Sequence, residues 1–289
     1  MRIAFLGTGR MGTELVLRLM NPGGNDVVVW NRTPSKAGRA VAAGATLADT
    51  PQEAAAGADI VFTCLFGPAT IRKAIMEPEV LPEGCVWADV TTISPDDAAG
   101  EARWAEQHAI RFVHTPVVGT LAPARAGKLG VYVGGTDSAA RARVATAVSA
   151  YADPQRLREL PNAPEAATAK LIANLALAVT AQGVSEALRL GASQGLDAQT
   201  VLGMLQSTSL GWMADFKRDF ILGRDTADAQ FTTNAIEKDV RLMLHSSDLP
   251  LPATAAAWES LARAQRDGRG EHDFSAIMQE EASTQAASE

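Results

Sequence analysis

Six residues near the start of the chain fit a dinucleotide-binding motif. Gly7-Thr8-Gly9-Arg10-Met11-Gly12 follows the apolar run Arg2 to Leu6 and precedes apolar residues at helical spacing, the strand–loop–helix context in which G-x-G-x-x-G binds a pyrophosphate. The first glycine permits a tight turn, the second lets the main chain approach the phosphates, and the third lets helix and strand pack closely. The alternative is a simple glycine turn. We predict that Gly7, Thr8, Gly9, Arg10, Met11 and Gly12 bind a nicotinamide cofactor.

The end of the second predicted strand indicates which cofactor is bound. An NAD site usually has Asp or Glu there to bind the ribose 2′-hydroxyl, but this chain has Asn31 followed by Arg32, Thr33 and Lys36. A guanidinium group can bind a 2′-phosphate through two parallel hydrogen bonds. The pattern therefore favours NADP(H) over NAD(H), unless Arg32 and Lys36 are only solvated charges at the start of a helix.

A lysine in a long apolar helical segment is the candidate acid or base. Lys170 lies in PEAATAKLIANLALAVTAQGVSEALRL, residues 164–190, which is apolar nearly all round and predicted to be buried. Burial disfavours the charged form of an amine, so we expect the pKa of Lys170 to fall and the group to exchange a proton near neutral pH. The alternative is a lysine that reaches solvent or pairs with an acid. Asn174 lies one turn later on the same face.

The chain divides into two predicted domains of different character. Strands are predicted at 2–6, 27–30, 59–65, 86–90, 111–114 and in KLGVYVGG, and they alternate with helices. Such alternation is typical of an α/β fold with a doubly wound parallel sheet, a Rossmann domain over 1–160. No strand is predicted after residue 135, and residues 161–289 form an all-helical domain, with helices at 164–190, 197–208, 210–221, 232–247 and 252–267. The last ten residues, EEASTQAASE, lack apolar anchors and are predicted to be frayed.

Composition narrows the function classes. The net charge is −7 and no basic run is longer than two residues, so a nucleic-acid partner is not expected. Cys64 and Cys85 both lie in apolar runs, which favours buried, reduced thiols and the cytoplasm. There is no stretch of 18 apolar residues, so no membrane partner is expected. No signal peptide and no metal site are expected.

The motifs in order resemble the β-hydroxyacid dehydrogenases. After the glycine motif come WNRTPSK, ADVTT, TPVVGTLAPARAGKL, AKLIANLALA and EKD. Within that family the chain looks most like the NADPH-dependent glyoxylate and succinic semialdehyde reductases, and it is similar to 3-hydroxyisobutyrate dehydrogenases. The likeness covers residues 1 to about 278, and joint occurrence of the motifs in order is more specific than any one of them.

The resemblance implies roles for further residues. Lys170 stands at the family's catalytic lysine, and Asn174 at an asparagine that orients substrate and lysine, although Ala173 replaces the first of the two usual asparagines. Thr92 matches a residue near substrate carboxylate or nicotinamide. It also implies that Lys238 lies near the cofactor and that Phe231 and Asp239 lie near the substrate. Independently of the resemblance, Leu65 and Phe66 follow a predicted strand and would flank the cofactor where it crosses the strand ends; the alternative is that they only pack.

One segment departs from the family pattern. The family's substrate loop reads roughly Asp/Glu-x-Pro-Val-Ser-Gly, whereas this chain has His114-Thr115-Pro116-Val117-Val118-Gly119-Thr120. Val118 replaces a serine that binds the substrate carboxylate, which weakens recognition by about 1–3 kcal/mol if the lost bond was to a charged group. The main chain of Gly119 and Thr120 and the Thr120 hydroxyl can still donate. His114 can change the charge of the pocket near pH 7.

Together these observations predict hydride transfer between NADP(H) and a small carbonyl or alcohol, with Lys170 as general acid and base and Asn174 orienting it. Two alternatives stay open: an imine reductase on the same scaffold, against which Lys170 argues, and a non-catalytic NADPH-binding protein. The long apolar helix also predicts a homodimer.

Overall fold

The protein is described by a computed structural model that covers residues 1–20, 24–224 and 228–279. Its residues group into two compact units, Met1–Lys170 and Leu171–Glu289. The terminal segment EEASTQAASE, predicted to be frayed, lies outside the described residues.

The first unit is built on a nine-stranded sheet with the order β3-β2-β1-β4-β5-β6-β8-β7 and with β9 paired to β8. The strands are β1 (Arg2–Leu6), β2 (Asp26–Trp30), β3 (Thr46–Leu47), β4 (Ile60–Thr63), β5 (Val86–Asp89), β6 (Arg111–His114), β7 (Val117–Val118), β8 (Leu129–Gly134) and β9 (Ala152–Leu160). Strands β1 to β6 pair in parallel, whereas β6 and β7 are antiparallel to β8. The order reverses at β1, as in a doubly wound sheet.

Helices cover both faces of this sheet. They are α1 (Arg10–Met20), α2 (Gly38–Ala42), α3 (Pro51–Ala55), α4 (Pro68–Ile71), α5 (Pro95–Gln107), α6 (Leu121–Ala126) and α7 (Ser138–Val148), with a 3-10 turn at Pro34–Ala37 and a π-helical turn at Arg72–Met76. Alternate residues of β1 separate onto the two faces. Ile3 and Phe5 join the core that includes α1 and α7, while Ala4 and Leu6 join the core that includes α3 and α5.

The second unit is helical. Its helices are α9 (Ala198–Leu205), α10 (Gly211–Ile221), α11 (Thr233–His245) and α12 (Pro252–Arg266), and they follow α8 (Ala163–Ser193), which begins in the first unit. Ala163 and Ala167 of α8 pack in the core of the first unit, and Leu171 and later residues pack in the core of the second. The α/β fold with a Rossmann sheet followed by a helical region is confirmed.

Two expectations about individual elements are wrong. A strand does follow residue 135, because β9 pairs in parallel with β8. It is a mostly exposed edge strand of sequence ADPQRLREL, so it has no apolar alternation to reveal it, and Pro154 is tolerated where the register shifts. Helix α8 is not buried all round, since Ile172 and Leu190 are 62% and 69% exposed.

Helix α8 is also, among the described helices, the one whose length and composition would suffice to cross a membrane. A core helix of a globular protein meets the same criterion, and the first turns of α8 pack in a protein core.

Candidate active site

The three glycines of the loop after β1 have different surroundings. Gly7 has φ +110°, and a Cβ there would lie 2.3 Å from the carbonyl oxygen of Cys64. A Cβ on Gly12 would lie 2.0 Å from the carbonyl oxygen of Gly7, whereas one on Gly9 would have no neighbour within 4 Å. Gly7 and Gly12 are therefore required by the packing of the protein itself, while Gly9 leaves open space beside the main chain.

The loop leads directly into the N-terminus of α1. Arg10 and Met11 open the helix, whose first hydrogen bond joins the amide of Thr13 to the carbonyl of Gly9, so the preceding amides have no partner within the helix. Gly9 and Arg10 are exposed and Met11 is half-buried. Thr8 is buried, and its hydroxyl has no hydrogen-bond partner among the described residues. The exposed main chain at Gly9, the N-terminus of α1 and the buried Thr8 hydroxyl fit the pyrophosphate of a dinucleotide.

The end of β2 meets this loop through Asn31. Its Oδ1 accepts from the amide of Thr8 at 3.0 Å, and its Nδ2 donates to the carbonyl of Thr33 at 2.9 Å. Asn31 thus links the glycine loop to the turn after β2, and both ends of its side-chain amide are hydrogen-bonded within the protein. Arg32, Thr33 and Lys36 are exposed on that turn.

The loops after β4 and β5 are joined by Thr91. Its hydroxyl accepts from the amide of Leu65 at 3.0 Å, and its own amide donates to Asp89 Oδ1 at 3.1 Å. Leu65 and Thr92 are half-buried, and Phe66 is 56% exposed. These residues follow the carboxyl ends of adjacent parallel strands, where α/β sheets bind their ligands.

Below these loops lies a fully buried polar cluster that sequence reasoning missed. Asp89 Oδ1 accepts from the Thr63 hydroxyl at 2.6 Å, and Asp89 Oδ2 lies 3.5 Å from His114 Nδ1. Glu101 of α5 is 4% exposed. Burial, followed by the charges of Asp89 and Asp97, raises the pKa of Glu101 well above its usual value. The signal available in the sequence was Asp89 itself, within ADVTT at the end of an apolar strand.

The segment with the valine replacement follows β6. Val118 and Thr120 are half-buried and Gly119 is exposed. Gly119 has φ +139°, which favours glycine, and an added Cβ would lie 2.7 Å from the Leu129 side chain. Thr120 precedes α6, and its side chain makes no cap hydrogen bond there.

Helix α8 carries the two predicted catalytic residues. Lys170 and Asn174 are one turn apart and are buried, with 8% and 4% of their surfaces exposed. Asn174 Nδ2 donates to Asp239 Oδ2 at 2.6 Å, and Asp239 Oδ1 lies 2.8 Å from Lys238 Nζ. The fold therefore brings together Asn174, Lys238 and Asp239, from α8 and α11, in one buried polar network.

Phe231 is held in place by a second buried ion pair. Its ring meets Phe274 edge to face at 6.2 Å, and its amide donates to Asp273 Oδ2 at 3.3 Å. The same oxygen accepts from Lys217 Nζ at 3.0 Å. Lys217 is fully buried within 4.4–4.7 Å of three phenylalanine rings, and burial lowers its pKa although Asp273 opposes the shift.

Two family descriptions match nearly the whole chain. Residues 2–157 match the NAD binding domain of 6-phosphogluconate dehydrogenase, and residues 165–280 match the NAD-binding domain of NADP-dependent 3-hydroxyisobutyrate dehydrogenase. The protein belongs to the β-hydroxyacid dehydrogenase family. A β-hydroxyacid dehydrogenase is an NAD(P)-dependent oxidoreductase, so the predicted family and reaction class are confirmed.

Individual members of the family agree over nearly their full length. The chain is 31% identical to an uncharacterized oxidoreductase of Shewanella frigidimarina over 280 residues, 93% of this chain and 94% of the relative. It is 29% identical to glyoxylate/succinic semialdehyde reductase 1 of Arabidopsis thaliana, covering 96% of this chain and 98% of the relative.

Solved structures show the same fold. The 3-hydroxyisobutyrate dehydrogenase of Mycobacterium tuberculosis, determined with L-serine, superposes with a TM-score of 0.80 at 26% identity over 96% of this chain and 97% of its own. A reductive aminase of Aspergillus terreus, in complex with NADPH and ethyl levulinate, superposes with a TM-score of 0.64 at 23% identity over 96% of this chain and 98% of its own. The second likeness is one of fold.

Proposed function

We propose that this β-hydroxyacid dehydrogenase is an NADP(H)-dependent enzyme that interconverts a small carbonyl compound and its alcohol, with Lys170 as general acid and base. The observation that carries the proposal is the burial of the Lys170 amine one turn from Asn174, whose amide is hydrogen-bonded to Asp239. A lysine that is largely kept from bulk water is suited to proton exchange with a substrate oxygen.

The preference for NADP(H) rests on the turn after β2. Asn31 has no charge to repel a phosphate, and Arg32, Thr33 and Lys36 are exposed and can contact a 2′-phosphate. Gly7 to Gly12 would hold the pyrophosphate, and Leu65, Phe66, Thr92 and Lys238 would lie along the rest of the cofactor. When bound, NADP(H) supplies or accepts the hydride.

The chain's own residues would then position the substrate and transfer one proton. In reduction, Lys170 donates a hydrogen bond to the carbonyl oxygen and gives up its proton as the oxygen gains charge; in oxidation it takes the proton back. Asn174 orients the substrate oxygen or Lys170. The candidate substrate residues are Thr92, Val118, Gly119 and Thr120 in the first unit and Phe231 and Asp239 in the second. A β-hydroxyacid or a semialdehyde is the favoured substrate class, in keeping with the names of the relatives.

A substrate panel tests the reaction. The protein is mixed with NADPH and, in turn, aldehydes, 2-oxo acids and cyclic imines, and loss of the reduced nicotinamide absorbance is followed. Turnover of carbonyls is expected. Turnover of imines alone would instead establish the second candidate, an imine reductase, which the apolar Val118 side chain favours. Tight NADPH binding without any turnover would contradict both and leave a non-catalytic NADPH-binding protein.

The cofactor preference has its own test. Arg32→Glu is expected to weaken NADPH binding about 100-fold and NADH binding less than about threefold, because a carboxylate in place of a bidentate guanidinium repels the 2′-phosphate. Arg72→Glu, an equal charge change at an exposed residue of the π-helical turn, is the control. Equal losses for the two cofactors would show that Arg32 does not read the 2′-phosphate.

We also propose that the protein is a cytoplasmic homodimer. Ile172 and Leu190 are 62% and 69% exposed on α8, and a second copy could cover such large apolar side chains. Cys64 and Cys85 both lie in apolar runs, as expected of reduced thiols in a reducing compartment. Light scattering should give twice the mass of one chain for the wild type, and the mass of Ile172→Lys should fall toward that of a single chain. An unchanged mass for this variant would argue against a dimer interface at Ile172.

A further inference from the structure

The strand that carries Val118 extends past the carboxyl end of the parallel sheet. His114 pairs with Gly134, Val117 with Val131 and Val118 with Gly130, so one register runs from β6 into β7. His114 also pairs with the last residue of β5, Asp89. Val118 is four residues further on, about 13 Å beyond that end at the usual rise of a strand. It therefore lies on the side of the sheet where α/β proteins bind ligands.

A cavity of about 170 Å³ adjoins Val118 at this place. It is lined by Val118, Gly130, Tyr132, Arg156 and Arg158, from β7, β8 and β9. A Cβ on Gly130 would lie 3.3 Å from Arg156 Nη2 and 3.4 Å from Val118 Cβ. The guanidinium of Arg156 thus lies over the glycine and beside the valine, in space that a side chain at residue 130 would otherwise fill.

The two arginines bring positive charge that the neighbouring protein does not neutralise. Arg156 Nη1 donates to the carbonyl of Lys128 at 3.3 Å, and Arg158 Nη1 donates to the carbonyl of Leu157 at 3.1 Å. Among the residues that the structure describes, neither has a carboxylate within 4 Å. Two like charges on one cavity repel each other, and a bound carboxylate would relieve that repulsion and fit the fork of a guanidinium.

The cavity lies on the face of β8 that α8 approaches. Gly130, Tyr132 and Gly134 alternate onto one face of the strand, and a Cβ on Gly134 would be 2.7 Å from Ala166 Cβ of α8. Lys170 follows Ala166 by one helical turn. The basic cavity and the helix segment that carries the candidate proton donor therefore belong to the same side of the sheet.

The phosphates of the cofactor are poor candidates for the anion that would bind these arginines. The glycine loop follows β1, and β8 is four strands away in the sheet order. At the usual spacing between strands this separation is about 19 Å. The arginines are therefore too far from Gly7 to Gly12 to contact a pyrophosphate bound at that loop.

We propose that Arg156, assisted by Arg158 and Tyr132, binds the carboxylate of an acidic aldehyde or hydroxyacid substrate, in place of the hydroxyl that Val118 lacks. The proposal rests on the proposed function and deepens it, because it names side chains of β8 and β9 that would bind the carboxylate of such a substrate.

A matched pair of substrates tests the assignment. Initial rates with NADPH are measured for 4-oxobutanoate and for its neutral methyl ester, using the wild type, Arg156→Gln, Arg158→Gln and the control Arg103→Gln. Arg103 is an exposed arginine of α5, so its replacement changes the net charge equally. Arg156→Gln is expected to raise KM for the acid at least tenfold with kcat within about twofold, and Arg158→Gln about threefold. KM for the ester is expected to change less than twofold.

Several outcomes would overturn the proposal. Equal changes for acid and ester, or an equal change in Arg103→Gln, would show that Arg156 does not bind the carboxylate. So would a fall in NADPH affinity, measured by nicotinamide fluorescence, because it would place the cofactor at the arginine.

A binding measurement keeps this proposal separate from the proposed reaction. Succinate, which carries carboxylates and no reducible carbonyl, is titrated calorimetrically in the presence of NADP⁺, with succinamide as the neutral control. Binding of succinate alone, lost in Arg156→Gln, would support the arginine site even if no aldehyde is turned over. No binding of succinate to the wild type, or equal binding to Arg156→Gln, would contradict it.

Discussion

The glycine loop after β1 and the polar network of α8 and α11 are built in different ways. The cofactor loop after β1 is made of main chain, and its shape depends on Gly7 and Gly12, where a Cβ would meet a carbonyl oxygen at 2.3 and 2.0 Å. The network of Asn174, Lys238 and Asp239 is made of side chains from two helices, joined at 2.6 and 2.8 Å. An added Cβ at Gly7 or Gly12 would therefore disturb the loop, whereas the loss of a shared carboxylate or amide would disturb the network.

The largest effect is expected where one side chain has a chemical role of its own. Lys170→Ala removes the proposed proton donor and should lower kcat by about 10³-fold, within the range of general acid–base catalysis. NADPH affinity should stay within about threefold, as measured by nicotinamide fluorescence. Lys73→Ala, at an exposed lysine, is the control for charge. A kcat within tenfold of the wild type would refute the catalytic role.

The second prediction compares two glycines of the loop after β1. Gly12→Ala should lower the free energy of unfolding by more than about 3 kcal/mol, because its Cβ overlaps the Gly7 carbonyl oxygen. The free energy of unfolding of Gly9→Ala should lie within about 1 kcal/mol of the wild-type value, since the added Cβ has no neighbour within 4 Å. This variant should nevertheless bind NADPH at least tenfold more weakly. Urea unfolding and cofactor titration measure the pair. A Gly9→Ala protein with normal affinity would mean that the open space does not receive the cofactor.

The side-chain network should respond to loss of its shared carboxylate. Asp239→Ala leaves a buried ammonium at Lys238 without the carboxylate that lies 2.8 Å away, and we expect a loss of about 3 kcal/mol in the free energy of unfolding. Asp215→Ala removes one side of an exposed pair with Arg218 and should cost less than about 1 kcal/mol. Similar losses in both variants would indicate that the buried network adds little to stability.

The smallest effect concerns the acid beneath the cofactor loops. Since the pKa of Glu101 is raised well above its usual 4.5, the folded protein keeps a proton that the unfolded chain releases, and stability is lost as the pH rises above about 4.5. Glu101→Gln should therefore raise the free energy of unfolding at pH 8, with a smaller difference from the wild type at pH 5. Urea unfolding at both pH values checks this, with Glu106→Gln on the exposed face of the same helix as control. A variant less stable at pH 8 than the wild type would contradict the assignment.

The same comparison explains how much could be predicted from the sequence. Apolar patterns identify strands β1, β2, β4, β5, β6 and β8 and the helices from α8 to α12, whereas the two-residue strands β3 and β7 were not predicted. The glycine loop could be predicted because Gly7 and Gly12 accommodate no side chain. The buried Asp89–His114–Glu101 cluster and the Lys217–Asp273 pair join residues 12 to 56 positions apart, and no local sequence pattern predicts such contacts. Strand β9 was missed because an exposed edge strand needs no apolar residues, and the arginine cavity was missed with it.

The anchoring of Phe231 has a practical consequence for the length of the chain. Its amide and that of Gln230 both donate to Asp273, more than forty positions later. A protein shortened to end at residue 279 retains that carboxylate, whereas one that ends before Asp273 loses the support of Phe231, the partner of the Lys217 ammonium and the Phe274 ring beside it. Protease resistance should therefore fall once shortening removes the buried Ile277 and Met278, and it should fall further once shortening passes Asp273.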